Sequence, residues 1–177
     1  MNASGKPEPG RLANLLGALA LALSDEVGAA LQGAVSGRGR EPAALVTLAT
    51  WPGLSIEALR RVLELSQPAT VHLVDRLEDQ GWVRREPGRD GRTRALALTP
   101  TGRRLSEDIQ LVRLATLSQA LETLDPVEHD QLERLTAKVL MAVERDRDRA
   151  LHVCRLCDQA LCKAADECPV DLSTRRP

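Results

Sequence analysis

Leucine and alanine recur along most of this chain at three- and four-residue steps, and one short stretch near the middle alternates instead. That contrast predicts the elements. From Arg11 to about Val35, Leu12, Leu15, Leu16, Leu19, Leu23, Val27 and Leu31 form one helical stripe, widened by Ala18, Ala20, Ala22, Ala29 and Ala30. Ser36-Gly37-Arg38-Gly39-Arg40 closes it as a loop. A second helix runs from Glu41 to about Thr50, with Pro42 near its first turn and Pro52-Gly53 as its stop. Ser55 to Leu63 is a short amphipathic helix capped by Ser55. Ser66 caps the next one, which carries Pro68 in its first turn, where a missing amide hydrogen costs nothing, and runs to Glu78. In it Val71, Leu73, Val74 and Leu77 are spaced to face a core, which turns Gln67, Thr70, His72, Asp75 and Arg76 outward. Gly81 ends it.

The alternating stretch follows. Trp82 to Glu86 is extended, Pro87-Gly88-Arg89-Asp90-Gly91-Arg92 is a turn too polar for a core, and Thr93 to Thr99 has the period-two pattern of a half-buried strand. Two strands joined by such a turn make a hairpin with a projecting tip. Beyond it, Thr99-Pro100 reads as a cap with proline at the first helical position, opening a helix from Thr101 to about Leu124. Asp125 and Glu128 form a capping box for a last long helix bearing Leu132, Leu135, Val139, Leu140 and Val143, followed by a charged run from Glu144 to Arg149. The expected fold class is mainly α with a small β-hairpin wing: a winged helix-turn-helix with long dimerisation helices.

Charge sharpens this picture. The chain carries a formal net charge of -1, yet between Arg84 and Arg104 seven arginines (84, 85, 89, 92, 94, 103 and 104) face only Glu86 and Asp90. Cationic charge gathered around a helix pair and a hairpin is what a face gripping the phosphates of DNA requires. A helix with a small, polar N-terminus fits the major groove, and arginine at a hairpin tip can enter the minor groove beside it.

The same residues carry a resemblance. Asp90-Gly91-Arg92, then Leu96, then Leu98-Thr99-Pro100-Thr101-Gly102, resemble the wing signature of the MarR family of bacterial transcription regulators, and Val74-Asp75-Arg76-Leu77-Glu78-Asp79-Gln80-Gly81-Trp82-Val83 is similar to that family's exit from the recognition helix. The likeness covers roughly Ala43 to Arg104. It implies that Arg92 is the wing-tip arginine and Asp90 the carboxylate that orients it, with Arg89 and Arg94 beside them. It also places Ser66, Gln67, Ala69, Thr70, His72 and Arg76 among the recognition-helix contacts. The implied partners are double-stranded DNA with a pseudo-palindromic operator, a second copy of the chain, and a small-molecule or redox effector. The implied role is that of a regulator, most often a repressor.

Composition adds limits. With two Trp, no Phe and no Tyr, the core must be leucine, valine and alanine, which favours packed helices and offers an effector no aromatic platform. No uninterrupted run of about eighteen apolar residues occurs, and Leu15–Leu23 lacks a convincing cleavage site, so we expect a cytoplasmic protein without a transmembrane helix. No phosphate loop or nucleophile elbow is present and the three histidines (72, 129 and 152) lie far apart, so no enzyme is expected. The expected organisation is a disordered tail over 1–9, a dimerisation helix over 10–40, the DNA-binding domain over 41–104, dimerisation helices over 105–150 and a cysteine-rich tail over 151–177. The terminal helices bear more apolar stripe than a small winged domain can cover, and a two-fold dimer is the economical partner.

All four cysteines stand in that tail, Cys154, Cys157, Cys162 and Cys168, in the pattern C-x2-C-x4-C-x5-C-P. If the last helix continues, Cys154 and Cys157 share one face. Four thiols this close point to metal more than to disulfides in a reducing compartment. Unequal gaps ending in Cys-Pro favour an iron–sulfur cluster, zinc follows, and thiol–disulfide chemistry remains open. His152 reads as a helix-surface residue or a substitute ligand. A competing reading of the chain is a small four-cysteine metalloprotein whose basic hairpin is incidental.

Overall fold

Hydroxyl and carboxylate caps start the helices of the middle of the chain where the sequence places them. In a computed structural model that describes residues 10–34, 39–88, 94–143, 147–164 and 168–170, the elements run α1 (Gly10–Ala34), α2 (Glu41–Thr50), α3 (Ile56–Leu63), α4 (Gln67–Asp79), β1 (Val83–Pro87), β2 (Arg94–Leu98), α5 (Pro100–Leu121), α6 (Pro126–Val143), α7 (Arg147–Val153), a 3-10 turn (Cys154–Leu156) and α8 (Gln159–Ala164). Ser55 Oγ accepts the Ala58 amide at 3.1 Å and Ser66 Oγ the Ala69 amide at 3.3 Å. Asp125 Oδ1 accepts from Glu128 N at 2.9 Å while Glu128 Oε2 accepts from Asp125 N at 3.0 Å, the reciprocal capping box.

Thr99 joins two elements at once. Its hydroxyl accepts the Gly102 amide at 3.1 Å and donates to the Gly81 carbonyl at 2.7 Å, and its own amide reaches Trp82 O at 3.0 Å. The start of α5 is thereby fastened to the point where the chain leaves α4 and enters β1. The approach is so close that a Cβ built on Gly102 would lie 2.0 Å from the Trp82 carbonyl oxygen. Gly102 is therefore required as a residue without a side chain. Gly81 (φ 71) meets the other glycine requirement, reversing the chain after α4.

The two strands pair antiparallel, with Val83 opposite Leu98 and Pro87 opposite Arg94. A further bridge joins Ser55 to Ala95, and Leu96 N donates to Leu54 O at 2.8 Å, so the lead-in to α3 adds a short third edge that the alternation pattern did not reveal. Leu45, Leu59, Leu63, Leu73, Val74, Leu77, Val83, Leu96 and Ile109 are fully buried in one core shared by α2, α3, α4, the hairpin and α5. Trp82 packs at its margin, as expected.

The long helices behave differently. α1 packs along α5, but only Val27 and Leu31 of its stripe are buried, while Leu12, Leu15, Leu16, Leu19 and Leu21 stay exposed. None of the residues of α6 is buried. By length and composition Gly10–Gly33 is apolar enough to cross a membrane, with a mean hydropathy of 1.3, although it holds no uninterrupted apolar run. The α-helical conformation does not run on through the cysteines: a 3-10 turn takes over at Cys154. α7 lies on α3, and the 3-10 turn lies on α2.

Candidate nucleic-acid interface

α4 shows how the reading face is built. Its buried positions are Thr70, Leu73, Val74 and Leu77, a stripe at steps of three, one and three residues, and the opposite side leaves Ser66, Gln67, Pro68, Ala69, His72 and Arg76 exposed. The small, polar first turn is thus free to approach a flat edge, with His72 one turn further along. Two expectations are corrected. Thr70 does not face outward: it is fully buried, and its hydroxyl donates to the Ser66 carbonyl at 2.9 Å, closing the first turn. Val71, expected in the core, is only half-buried, because Thr70 takes the inward position of that turn.

The arginines divide into two groups. Arg85 is committed to structure, its guanidinium reaching Asp75 and Glu78 of α4 and its backbone amide reaching Glu78 Oε1 at 3.4 Å. These contacts raise its pKa further, the Asp75 hydrogen bond most, and they fix the angle between the wing and α4. Arg76 is also anchored, with Nε 3.0 Å from Glu41 Oε1, a nearly buried carboxylate at the start of α2. Arg84 pairs with Glu86 across 2.6 Å. The basic face is accordingly less cationic than the residue count implies. Arg94 is exposed at the last described position before the wing tip. Arg89, Asp90 and Arg92 lie outside the described residues.

Glu41 escaped the sequence reading, because a lone glutamate in a first helical turn looks like an ordinary helix-start residue. So did Glu64, which ends α3 in the left-handed conformation at φ 51 and forms the turn between α3 and α4. Only its place between two capped helices signals it.

Comparison with known proteins places this arrangement. Residues 41–93 match the MarR family. Over that stretch, which holds the helix pair and most of the hairpin, the chain is similar to the MarR family. It is similar to the transcriptional repressor MprA of Escherichia coli K12, with 32% identity over 105 residues that cover 58% of this chain and 60% of MprA. The match therefore spans less than two thirds of that relative. Among solved structures it resembles the Mycobacterium tuberculosis MarR-family protein Rv2887 in complex with DNA, at 28% identity and a TM-score of 0.61, covering 73% of this chain and 98% of that one. It also resembles a MarR-family protein from Bacillus stearothermophilus at 26% identity and a TM-score of 0.66, covering 72% of this chain and 89% of that one.

The cysteines lie beyond the MarR match. Cys154 and Cys157 flank the 3-10 turn, whose closing bond runs from Cys157 N to Cys154 O at 2.9 Å. The Cys157 thiol is lowered to about 6, chiefly by the Cys154 hydrogen bond and further by Arg113 and Arg155; Cys154, the donor, is pushed up. Burial, with the charge of the other cysteines, raises Cys162. No three donors stand at ligating distance among the described residues. Gln110 Nε2 on α5 donates to the Cys157 carbonyl at 3.3 Å. His152 is no surface residue: it is half-buried, its Nδ1–H donates to Val62 O at 2.8 Å, and Nε2 lies 3.6 Å from the Glu64 carboxylate. Beside this segment an open cleft of about 540 Å³ lies between α1, α2 and α5. Arg40, Arg113 and Arg155 meet Leu23, Val27 and Leu117 there, and no aromatic ring lines it.

Proposed function

We propose that the protein is a dimeric, sequence-specific DNA-binding transcription regulator of the repressor type, acting in the cytoplasm. The observation that carries this reading is the exposed first turn of α4, with Gln67, Ala69 and His72 presented beside a hairpin that Arg85 pins to the same helix. That geometry suits insertion of α4 into a major groove with the wing along the neighbouring minor groove. The likeness to the repressor MprA and to Rv2887 solved in complex with DNA supports it. The open stripe of α1 and the wholly unburied α6 support pairing with a second copy, since exposed apolar surface of this length is unusual on a soluble monomer. Two copies would set two α4 helices one duplex turn apart on a pseudo-palindrome.

In this reading Gln67 and His72 touch bases, Ser66 and Arg94 touch phosphates, and the wing-tip residues Arg89, Asp90 and Arg92 serve the minor groove. Thr70 and Arg76 hold α4 in place. The test is selection of bound sequences from a random duplex library, followed by fluorescence anisotropy against the selected site. Gln67→Ala and His72→Ala should each lose about 1–3 kcal/mol of discrimination at one base step while keeping non-specific affinity. Arg94→Ala should weaken binding to every sequence alike and flatten its salt dependence. An unselected library, or unchanged base preference in both α4 variants, would overturn the assignment.

A further inference from the structure

We infer that Cys154, Cys157, Cys162 and Cys168 hold one tetrathiolate metal centre, zinc or an iron–sulfur cluster, and that this centre clamps the end of the chain over the turn of its own helix-turn-helix. The placement of the segment carries the argument. Past Val153 the described chain is a 3-10 turn of three residues, an extended Cys157 and the start of α8. A segment interrupted in this way is not held together by helix formation alone and gains from a staple. The segment is nonetheless docked: Ala150 and Val170 are buried, Leu156 packs against the core, and His152 bonds to the last turn of α3.

The thiols are the staple that the sequence provides. Cys154 and Cys157 bracket the 3-10 turn, whose closing bond from Cys157 N to Cys154 O at 2.9 Å keeps the two residues one turn apart. Gln110 holds the Cys157 carbonyl from α5, which fixes one side of the site to the winged domain. Asp158 Oδ1 accepts from Ala160 N at 2.9 Å and so sets where α8, with Cys162, begins. Cys162 and Cys168 have only to close on the pair to complete four ligands. A zinc or [2Fe–2S] centre with four thiolates carries excess negative charge, and Arg113 and Arg155 stand beside Cys157 to balance it.

The location determines what such a centre can do. His152 is two residues from Cys154 and contacts both Val62 and Glu64, the end of α3 and the left-handed turn into α4. Metal held at the cysteines therefore fixes the His152 grip on that turn, and its loss releases the grip. Because the segment docks on α2 and α3, the site acts on the reading domain.

The test uses full-length protein produced without oxygen and with iron, sulfide and zinc supplied. We expect about one zinc, or one cluster, per chain. Zinc without acid-labile sulfide or visible absorbance identifies the first; iron with matching sulfide and a visible charge-transfer spectrum identifies the second. Cys154→Ser/Cys157→Ser should lose the metal, and Cys162→Ser and Cys168→Ser should each weaken retention against a chelator. In each metal-free variant, amide exchange at Glu64 and Leu65 should accelerate about tenfold or more, with the far-ultraviolet spectrum preserved. Protein that takes up neither metal under these conditions, or a double variant that keeps it, overturns the site. Metal loss with unchanged exchange at the turn overturns the clamp. Neither readout involves DNA, so failure here is separable from failure of the regulator assignment.

Discussion

The winged domain and the long terminal helices are written in the same leucine-and-alanine vocabulary, yet their side chains have opposite fates. In α2 to α4 and the hairpin, Leu45, Leu59, Leu63, Leu73, Leu77 and Leu96 are wholly removed from solvent. In α1 and α6, Leu12, Leu15, Leu16, Leu19, Leu132, Leu135 and Val139 remain exposed. The first region solves its burial problem within one chain, because short elements meet at several angles and close a core on all sides. The second consists of long rods whose stripes are met by their own chain only in part, at Val27 and Leu31 of α1. One region is a finished domain, and under the dimer proposed above the other is one half of an interface.

The comparison breaks most visibly if the rods are charged. Leu135→Glu combined with Val139→Glu places two carboxylates on the α6 stripe, at positions that are exposed within the chain. If α6 pairs with a second copy, the association constant should fall by at least about a thousandfold, or roughly 4 kcal/mol. Sedimentation velocity should then report single chains while the winged domain keeps its helical spectrum. An unchanged oligomeric state would show that the exposed stripe is not the interface.

The finished domain should fail in the opposite manner. Gly102→Ala puts a methyl group 2.0 Å from the Trp82 carbonyl oxygen, which is backbone and cannot swing away. The junction of α5 with β1 must shift, at a cost of about 3 kcal/mol. Chemical denaturation followed at Trp82 should show this loss even in the monomeric α6 variant. Gly33→Ala, on α1 with open space around it, is the matched control and should be close to neutral.

Much of the finished domain was legible in the sequence, and for an identifiable reason. Ser55, Ser66, Thr99 and Asp125 act on amides two or three residues away, so their roles are written locally. The errors occurred where a partner is remote in sequence. Arg76 pairs with Glu41, 35 residues earlier, and His152 bonds to Val62, 90 residues earlier; no periodicity carries such information. Thr70 was misplaced because its polarity outweighed its spacing, although a hydroxyl bonded to the carbonyl four residues back is readily buried. The cysteine spacing was legible, whereas the docking of its segment on α2 and α3 required the fold.

Thr47 offers a smaller effect confined to the finished domain. Its hydroxyl is buried among α2 side chains with no hydrogen-bond partner, against the usual rule for polar groups in a core. Thr47→Val keeps the shape and removes the orphan, so stability should rise by about 1 kcal/mol in the same denaturation experiment. Association through the rods should not change. A destabilised Thr47→Val protein would mean that the hydroxyl has a partner in solution.

The smallest effect concerns acid, and its sign follows from one carboxylate. Glu57 on α3 receives hydrogen bonds from Arg60 at 2.8 Å and Arg61 at 3.2 Å. These hold its pKa at about 2, below the ordinary 4.5, with the Arg60 hydrogen bond the largest cause. The unfolded chain therefore binds this proton more readily than the folded one. The pair stabilises the fold fully above pH 4.5, and that contribution disappears as pH falls toward 2. Glu57 is exposed and screened, so the slope should be shallow. Carbon-detected titration of the Glu57 carboxyl should give a midpoint near 2, and Glu57→Gln should remove this part of the acid limb from the unfolding midpoint of the winged domain alone. Were the same substitution to alter chain association, α3 would belong to the interface, and the division between finished domain and open rods would have to be redrawn.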